Sequence, residues 1–476
     1  MVFNSFNFWL VFPFIFVIYW AIPMRYNKAR NIFLLVVSYL LYMSWKPSFA
    51  IILLAVTAIT YGGAYLLDVR RTRMDVTWFV GAFVLLGLLP LLVFKYYNFL
   101  NDSITSVLET IGFHFALPGL NWAIPVGISF FTFQAVGYLL DVYHERVPAE
   151  KNFLDYALFV SFFPQVTSGP ISTAKDLMPQ FKIPHAFNYV QGRDGLKMLL
   201  WGMFLKLALA DRIGIYVDTV YTNYIHYSGS VCFFASIMYT TQIYCDFAGY
   251  SLMAIGIAKT LGFDLINNFE RPYFAASVTE FWKRWHISLT RWLTTHVYIN
   301  LGGNRCSKFR QYMNIMITFL VSGLWHGSNW TFVIWGALHG LFQIVEKAFM
   351  GDKLKAEIKN GQNKMRITRI LRIFVTFNLV SIAWIFFRMP DMNTAFSFIS
   401  QIIYEFGKFS LNPMSLMTAC CLFPCLFILV VKDFMEEYFA WVNYPKVAKW
   451  VFYVMIAAMI LTLGVLDSGQ FIYVSF

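Results

Sequence analysis

The stretch VTWFVGAFVLLGLLPLLVF (Val76–Phe94) decides the fold class, because its nineteen residues contain no charged side chain. An unbroken apolar run of about 20 residues is long enough for an α-helix to cross a membrane. Three similar runs precede it, at Phe8–Pro23, Ile32–Trp45 and Phe49–Leu67. A membrane β-barrel would instead show short segments of alternating polarity. The sequence therefore predicts an all-α polytopic integral membrane protein with about ten to twelve transmembrane helices plus re-entrant segments.

Composition supports this prediction. Hydrophobic residues make up 59% of the 476 residues and charged residues only 13%, whereas soluble domains average roughly 45–50% and 25%. A soluble fold could not bury that much apolar surface, so lipid or neighbouring helices must surround most side chains. Aromatic residues reach 20%, which is typical of proteins with Trp and Tyr at the membrane surfaces.

The positions of the basic residues predict the orientation in the membrane. Three basic segments, Arg25–Arg30, Arg70–Arg73 and Lys353–Arg372, lie between apolar runs. By the positive-inside rule these segments are cytoplasmic, which places the N-terminus outside. The polar segment Tyr96–Trp122, predicted to be a loop, is then outside too. The net charge of +12 is mostly a topology signal, and nucleic-acid binding is disfavoured because no soluble domain carries a basic patch.

Glycine and proline interrupt the apolar runs in the middle of the chain, at Pro125–Gln134, Phe162–Ile171 and Tyr298–Arg305. Interrupted helices occur in membrane proteins where the backbone is buried in protein or lines a cavity. We therefore predict a single membrane domain. Its catalytic core is residues 121–345, between an N-terminal helical block (1–120) and a region (346–476) with a basic cytoplasmic loop and closing helices.

Two histidines are candidate functional residues, because an ionisable side chain at membrane depth is costly and usually has a function or a firm partner. His326 lies in GLWHGSNW (Gly323–Trp330) and His286 in EFWKRWHISL (Glu280–Leu289). On its own, each could also be a core histidine that is hydrogen-bonded to a neighbouring helix. A further histidine, His339, is predicted to pack in the core.

Asp246 is a third intramembrane candidate. It could orient a polar network near a histidine or, as the favoured alternative, pair with a buried Arg or Tyr. Tyr244, Trp325 and Asn329 are predicted to belong to the same supporting network. No metal site is expected, because the cluster Cys420–Cys425 has no histidine neighbours and lies in an apolar run.

A basic stretch, Lys283–Arg310, interleaves cations with aromatic residues. Its members Lys283, Arg284, Asn304 and Arg305 could hold the phosphates of coenzyme A or the acidic face of an acyl-carrier protein. The alternative is that the cations collect at the cytoplasmic interface and extend toward water. The sequence leaves both interpretations open.

An ordered series of long motifs resembles those of the membrane-bound O-acyltransferase family. The resemblance covers most of the chain. It is to the bacterial cell-envelope branch, which includes alginate and peptidoglycan O-acetylating proteins and, more distantly, teichoic-acid D-alanyl transfer proteins. The motifs are PVGISFFTFQAVGYLLDVY (Pro125–Tyr143), FFPQVTSGPI (Phe162–Ile171), YCDFAGYSLMAIGIAKTLGF (Tyr244–Phe263), NFERPYFAASVTEFWKRWHISLTRWL (Asn268–Leu293), YINLGGNR (Tyr298–Arg305), SGLWHGSNWTFVIWGALHG (Ser322–Gly340) and IAWIFFRMPDM (Ile382–Met392).

This resemblance implies a ring of tilted helices around a thin central region, with a tunnel that leads to His326. It implies that His326 is the catalytic base and that His286 occupies the second polar position of the site. The implied reaction moves an acyl group, acetyl from acetyl-CoA, across a bacterial inner membrane to hydroxyls of an extracytoplasmic polysaccharide. No cofactor is bound permanently; the implied partners are the acyl donor, the polysaccharide, membrane lipid and a separate extracytoplasmic transferase.

Two departures from the family pattern leave the acyl group open. Ser251–Ala254 reads SLMA where acetylating members read SDMA, and Thr294-Thr295 replaces an Arg-Asp pair. D-alanyl transfer from a carrier protein is therefore one alternative. An acyl conduit whose partner completes the transfer, a transporter and a non-catalytic export scaffold are the others, although a transporter should show an inverted repeat and none is visible.

Overall fold

The computed structural model describes residues 3, 5–70, 76–113, 117–359, 367–408, 412–439 and 445–465. Within these ranges all regular structure is helical, in nineteen α-helices joined by short 3₁₀ and π-helical turns. The predicted all-α fold class is confirmed. The chain divides into two compact units, Met1–Leu196 with Ala254–Ile266, and Lys197–Met253 with Asn267–Phe476. The assignment of the whole chain to one membrane domain, with its catalytic core at residues 121–345, stays a prediction.

The first unit contains the four apolar runs that the sequence predicts to be transmembrane helices. Its helices are α1 (Phe6–Ala21), α2 (Asn27–Met43), α3 (Phe49–Arg70), α4 (Val76–Leu91), α5 (Tyr97–Thr110), α6 (Ile128–Tyr143), α7 (Phe153–Ser161) and α8 (Ala174–Lys182), together with the start of α9 (Tyr189–Met203).

One prediction for this unit is wrong. The segment Tyr96–Trp122 was expected to be a loop, but its first half forms α5, which continues α4 through a π-helical turn at Leu92–Tyr96. Polar residues such as Asn98 and Asn101 suggested a loop because they are poor helix formers. In the structure their side-chain amides donate to the backbone carbonyls of Leu120 and Leu117, so these polar residues connect α5 to the chain that follows it. Residues 114–116 lie outside the described ranges.

The predicted interruption at Phe162–Ile171 is present. Helix α7 ends at Ser161, α8 begins at Ala174, and residues 162–172 between them are non-helical and buried. Side chains satisfy backbone groups at this junction: Gln134 and Gln165 both donate to the carbonyl of Phe159 in the last turn of α7, and Ser38 accepts from Phe163 N–H in the interrupted stretch. Irregular backbone at depth requires such partners.

The second unit contains the candidate site. Its helices are the end of α9, α10 (Asp211–Thr222), α11 (Gly229–Thr260, whose last turns belong to the first unit), α12 (Val278–Arg284), α13 (Ile287–Leu293), α14 (Lys308–His326), α15 (Trp330–Lys359), α16 (Ile367–Arg388), α17 (Met392–Tyr404), α18 (Leu416–Tyr438) and α19 (Lys446–Leu463). π-helical turns follow α9 at Phe204–Ala210 and α13 at Thr294–Tyr298.

Two glycines bring α14 and α15 together. A Cβ added to Gly323 would collide with the carbonyl oxygen of Phe332, and one added to Gly336 would collide with that of Phe319. Small residues at a helix crossing let the backbones touch, which is how membrane helices associate most closely. This crossing lies one turn before His326 and fixes the end of α14.

Five helical stretches of the described chain are long and apolar enough to cross a membrane, or six if α1 and α2, bent by 105° at their junction, form one span. The larger count from the sequence includes shorter and more polar helices that do not meet this criterion. In the first basic segment, Arg25 lies on a short 3₁₀ turn after α1. Parts of the other two segments, residues 71–75 and 360–366, lie outside the described ranges. The orientation in the membrane stays a prediction.

Candidate active site

His286 lies on a short, strained connection between two seven-residue helices. Its backbone is left-handed (φ 44°), a conformation that non-glycine residues rarely adopt. Two backbone hydrogen bonds tie this connection to the preceding loop: Glu270 N–H donates to Arg284 O at 2.9 Å, and Ile287 N–H donates to Asn268 O at 3.0 Å. The loop around Asn268 therefore determines where the imidazole of His286 lies.

The His286 side chain is fully buried. Its Nδ1 lies 3.2 Å from Oδ1 of Asn268 and 3.5 Å from the hydroxyl of Ser288. One edge of its ring faces Phe247, with ring centroids 4.6 Å apart. Burial of a polar ring is tolerated when its nitrogens are hydrogen-bonded, and here Asn268 supplies the partner for Nδ1.

His326 is the last residue of α14, and it is 2% exposed. Aromatic rings surround it: the centroids of Trp325, Trp335 and Phe387 lie 4.8, 4.9 and 5.2 Å from its own. The imidazole of His286 lies 6.3 Å from that of His326, between centroids, at an interplanar angle of 64°. The structure thus brings together the two histidines that the sequence proposes, forty residues apart.

His339 occupies the next position in the same aromatic cluster. Its centroid lies 4.9 Å from Trp335, the ring that also contacts His326. The indole N–H of Trp282 donates to its Nδ1 at 3.2 Å, and the side chain is fully buried. His339 was predicted to pack in the core, and this environment is consistent with that role.

A cavity of about 560 Å³ is lined by residues of α12, α13, α14 and α15, and none of the three histidines is among them. The exposed side chains of Lys283 and Asn304 mark its mouth, together with Lys347. Its inner end is formed by the buried residues Trp282 and Ser322. Ser322 precedes His326 by four residues on α14, so both lie on the same helical face one turn apart. The cavity therefore extends from the cations to within one turn of α14 from His326.

The predicted donor-binding residues have different environments. Lys283 and Asn304 line the cavity. The amide oxygen of Asn304 accepts from the hydroxyl of Tyr298 at 2.8 Å and from Lys347 Nζ at 3.2 Å, and it also bonds Gln311. Arg305 is exposed and is not among the residues that line the cavity.

Arg284 belongs instead to an ion-pair cluster. Its two terminal nitrogens each lie 2.9 Å from a carboxylate oxygen of Glu437, and one lies 2.7 Å from Glu280. Arg369 joins the cluster through the same two carboxylates, and Arg271 joins it through Glu437 and Glu436. Such a bidentate pair is the strongest geometry available to arginine, so the Arg284 guanidinium already has anionic partners.

Asp246 pairs with a lysine. Lys206 Nζ lies 2.6 Å from Asp246 and 2.7 Å from Asp211, and all three side chains are at most 3% exposed. The favoured prediction was that Asp246 pairs with a buried Arg or Tyr. In the structure Asp246 is paired with a buried side chain, but that side chain is Lys206. Lys206 lies on the π-helical turn Phe204–Ala210, a geometry often found at functional sites.

The other predicted network residues are spread over the unit. The hydroxyl of Tyr244 donates to Asp433 at 3.4 Å. Trp325 is buried, with its ring 5.6 Å from His286. Asn329 is a helix-capping residue, because its amide oxygen accepts from Thr331 N–H at 3.0 Å and its amide nitrogen donates to Pro390 O. The structure therefore places Trp325 beside the histidine pair and gives Asn329 a local role.

Three residues of the site were not proposed from the sequence. Lys206 could have been found, since it is a lone cation in an apolar run and the argument that identified Asp246 applies to it equally. Asn268 begins a quoted motif, but an uncharged amide gives no comparable signal. Lys347 lies in a helix with several other charged residues, and sequence alone does not separate it from them.

A polytopic helical protein with two buried histidines side by side, and with a cation-lined cavity that reaches to one helical turn from one of them, has the features of a membrane-embedded transferase. Sequence comparison identifies which kind. The profile of the membrane-bound O-acyltransferase (MBOAT) family matches residues 143–387, and the chain belongs to that family. It is an O-acyltransferase, as its sequence resemblance implies.

Individual relatives agree with this assignment. The chain is 36% identical over 421 residues to the probable alginate O-acetylase AlgI of Pseudomonas aeruginosa, covering 87% of this chain and 77% of that protein. It is 33% identical to the peptidoglycan O-acetyltransferase of Helicobacter pylori, covering 81% and 75%. Similarity to the teichoic acid D-alanyltransferase of Streptococcus thermophilus is lower, 27%, covering 67% and 77%.

Proposed function

We propose that this protein transfers an acetyl group from acetyl-CoA to hydroxyls of an extracytoplasmic cell-envelope polysaccharide, directly or through a secreted partner transferase. The bacterial inner membrane, with the N-terminus outside, is the proposed location. The observation that carries the proposal is the buried His286–His326 pair, with a cation-lined cavity that reaches Ser322, one turn of α14 before His326. The names of the relatives, which act on alginate and peptidoglycan, support a polysaccharide acceptor.

In the proposed reaction His326 is the general base. A hydroxyl is a weak nucleophile at neutral pH, so its proton must be removed as its oxygen attacks the thioester carbonyl. The new C–O bond forms, the C–S bond breaks, and the proton passes from His326 to the departing thiolate to give the free thiol. His286 would either stabilise the oxyanion of the tetrahedral intermediate or orient a substrate.

The cavity supports a thioester donor with a phosphate-bearing handle. Lysine ammonium groups bind phosphate as point charges, and Lys283 and Lys347 both line the cavity. Farther in, the lining side chains of Trp282 and Phe319 are apolar, which suits an uncharged arm and excludes competing water. An acyl-carrier protein would present the same kind of phosphate-linked thioester, so D-alanyl transfer is tested alongside.

The test of His326 uses purified protein in detergent with radiolabelled acetyl-CoA, or a D-alanyl carrier protein in parallel, plus the acceptor and partner transferase. His326→Ala should insert and melt like the wild type while transfer falls roughly 10²–10⁴-fold, the usual contribution of a general base. His326→Gln should fail as well, because an amide cannot take a proton at neutral pH.

The matched control is His226→Ala, which removes an exposed histidine of the same unit and should leave turnover unchanged. Near-normal turnover by a well-folded His326→Ala protein would remove this residue from the mechanism. Transfer from the carrier protein but not from acetyl-CoA would replace acetylation by D-alanylation. Donor consumption only when the partner transferase is present would favour the conduit.

A further inference from the structure

Asn268 holds the segment that carries His286 through four hydrogen bonds. Its main-chain oxygen accepts from Ile287 N–H at 3.0 Å. Its side-chain oxygen accepts from the Ser288 N–H at 3.1 Å, from the Ser288 hydroxyl at 2.9 Å, and contacts Nδ1 of His286 at 3.2 Å. Asn268 is itself 1% exposed, and its amide nitrogen donates to the hydroxyl of Ser251 at 3.3 Å.

These contacts determine which end of the amide faces the histidine. A backbone N–H can only donate, so the Asn268 atom beside Ser288 N must be the oxygen, and the reverse orientation of the amide would place two donors together. An amide oxygen can only accept. The Nδ1 of His286, which lies against the same oxygen, must therefore carry the hydrogen.

A neutral imidazole has one N–H and one lone pair. With the hydrogen on Nδ1, the lone pair of His286 is on Nε2. We infer that Asn268 is a positioning residue that holds His286 in the Nδ1–H form, so that His286 enters the reaction as a hydrogen-bond acceptor through Nε2.

This inference selects between the two roles left open for His286, and that consequence rests on the proposed function. An oxyanion needs a donor, which an unprotonated Nε2 does not provide. The acyl-accepting hydroxyl has a single hydrogen, which passes to His326, so Nε2 of His286 accepts from a different donor. In the proposed reaction that donor is a neighbouring hydroxyl of the polysaccharide, through which His286 orients the acceptor sugar.

The backbone strain at His286 supports a positioning role. Its φ of 44° is a sparsely populated conformation for a residue other than glycine, and it persists only where the surroundings over-determine it. The Asn268 contacts to the two residues that follow His286, Ile287 and Ser288, supply that constraint. Together they fix the ring position and its hydrogen at once, as the asparagine or aspartate partner does for the catalytic histidine of other acyl-transfer enzymes.

The direct test is ¹⁵N NMR of histidine-labelled protein in detergent micelles, with the His286 signals identified by their loss in His286→Gln. In the wild type, Nδ1 should show the shift of a protonated nitrogen and Nε2 that of an unprotonated one. A wild-type spectrum with the hydrogen on Nε2 would overturn the inference. This measurement requires no turnover, so it tests the tautomer of His286 even if the proposed acyl transfer is disproved.

Kinetics on folded variants complete the test. Asn268→Ala should lower kcat by roughly tenfold or more with an unchanged donor KM, because part of the His286 population then has the wrong tautomer. Asn268→Asp keeps an acceptor of the same size at Nδ1 and should recover most of kcat. Asn314→Ala, which removes another buried amide of the same unit, should lower thermal stability without moving the His286 signals. Equal kcat in Asn268→Ala and the wild type, at matched melting temperatures, would contradict a positioning role.

Discussion

Lys283 and Arg284 are adjacent in sequence, yet they lie in two different regions of the second unit, a cavity lining and a cluster of ion pairs. Arg284 points into the ion-pair cluster, where Glu280 and Glu437 bind it. Lys283 lines the cavity mouth, and within the described residues no carboxylate forms an ion pair with it. The basic stretch therefore contains cations with structural partners and cations placed for a ligand.

The difference shows what decides the role of a cation in this chain. Glu437, the main partner of Arg284, lies 153 residues away on α18, so no local pattern could reveal it. The two interpretations of Lys283–Arg310, donor binding and interfacial placement, do not apply to the stretch as a whole. The geometry favours donor binding for Lys283 and a structural role for Arg284.

The largest expected effect belongs to the most deeply buried charge cluster, Lys206 with Asp211 and Asp246. Lys206→Met leaves two carboxylates buried without their cation and should cost roughly 3–5 kcal/mol in stability, measured as a fall in melting temperature in detergent. Adding Asp211→Asn and Asp246→Asn should restore much of the loss, because removing all the charges avoids the unpaired state.

The reference for that measurement is Lys408→Met, which breaks an exposed ion pair with Glu405 and should change stability by only about 0–1 kcal/mol. If Lys206→Met melts no earlier than Lys408→Met, the buried triad does not stabilise the fold. Its charges would then have to be explained by a role in the reaction.

The second effect concerns the ion-pair cluster itself. Glu437→Gln keeps the shape of the side chain but removes the charge that Arg284, Arg271 and Arg369 share, and should cost roughly 1–3 kcal/mol. The cost is lower than for Lys206 because the side chains of Arg271 and Arg369 are 30% and 18% exposed. A thermal melt of the Glu437→Gln protein that matches the wild type would refute the structural role of the cluster.

Sequence reasoning reached the fold class and the histidine pair, because both depend on signals within short stretches. Apolar runs predict helices, and a histidine among apolar residues is conspicuous at membrane depth. The partners were harder, since they are set by packing between distant segments: Lys206 for Asp246 and Asn268 for His286. For the Tyr96–Trp122 segment only the first half was wrongly assigned, because Asn98 and Asn101 lie in α5 and bond the non-helical residues Leu120 and Leu117 of the same segment.

The smallest expected effect is on donor binding, and it tests the comparison between the two neighbours most directly. The double variant Lys283→Met, Lys347→Met removes both ammonium groups from the cavity. It should raise the donor KM roughly tenfold, the loss of about 1.4 kcal/mol of phosphate binding, with little change in kcat. The salt dependence of KM should weaken in parallel, because exposed charges are screened by ions.

Arg284→Met is the matched control, since it also removes one positive charge from the same helix. It should lower the melting temperature and leave the donor KM unchanged, because its guanidinium is bound by Glu437 and not placed toward the cavity. The reverse result, a raised KM for Arg284→Met and none for the lysine pair, would assign donor binding to the ion-pair cluster. If the donor KM is unchanged in both the double lysine variant and Arg284→Met, the cations of Lys283–Arg310 do not contact the donor. Their placement at the membrane interface would then be the explanation for the whole stretch.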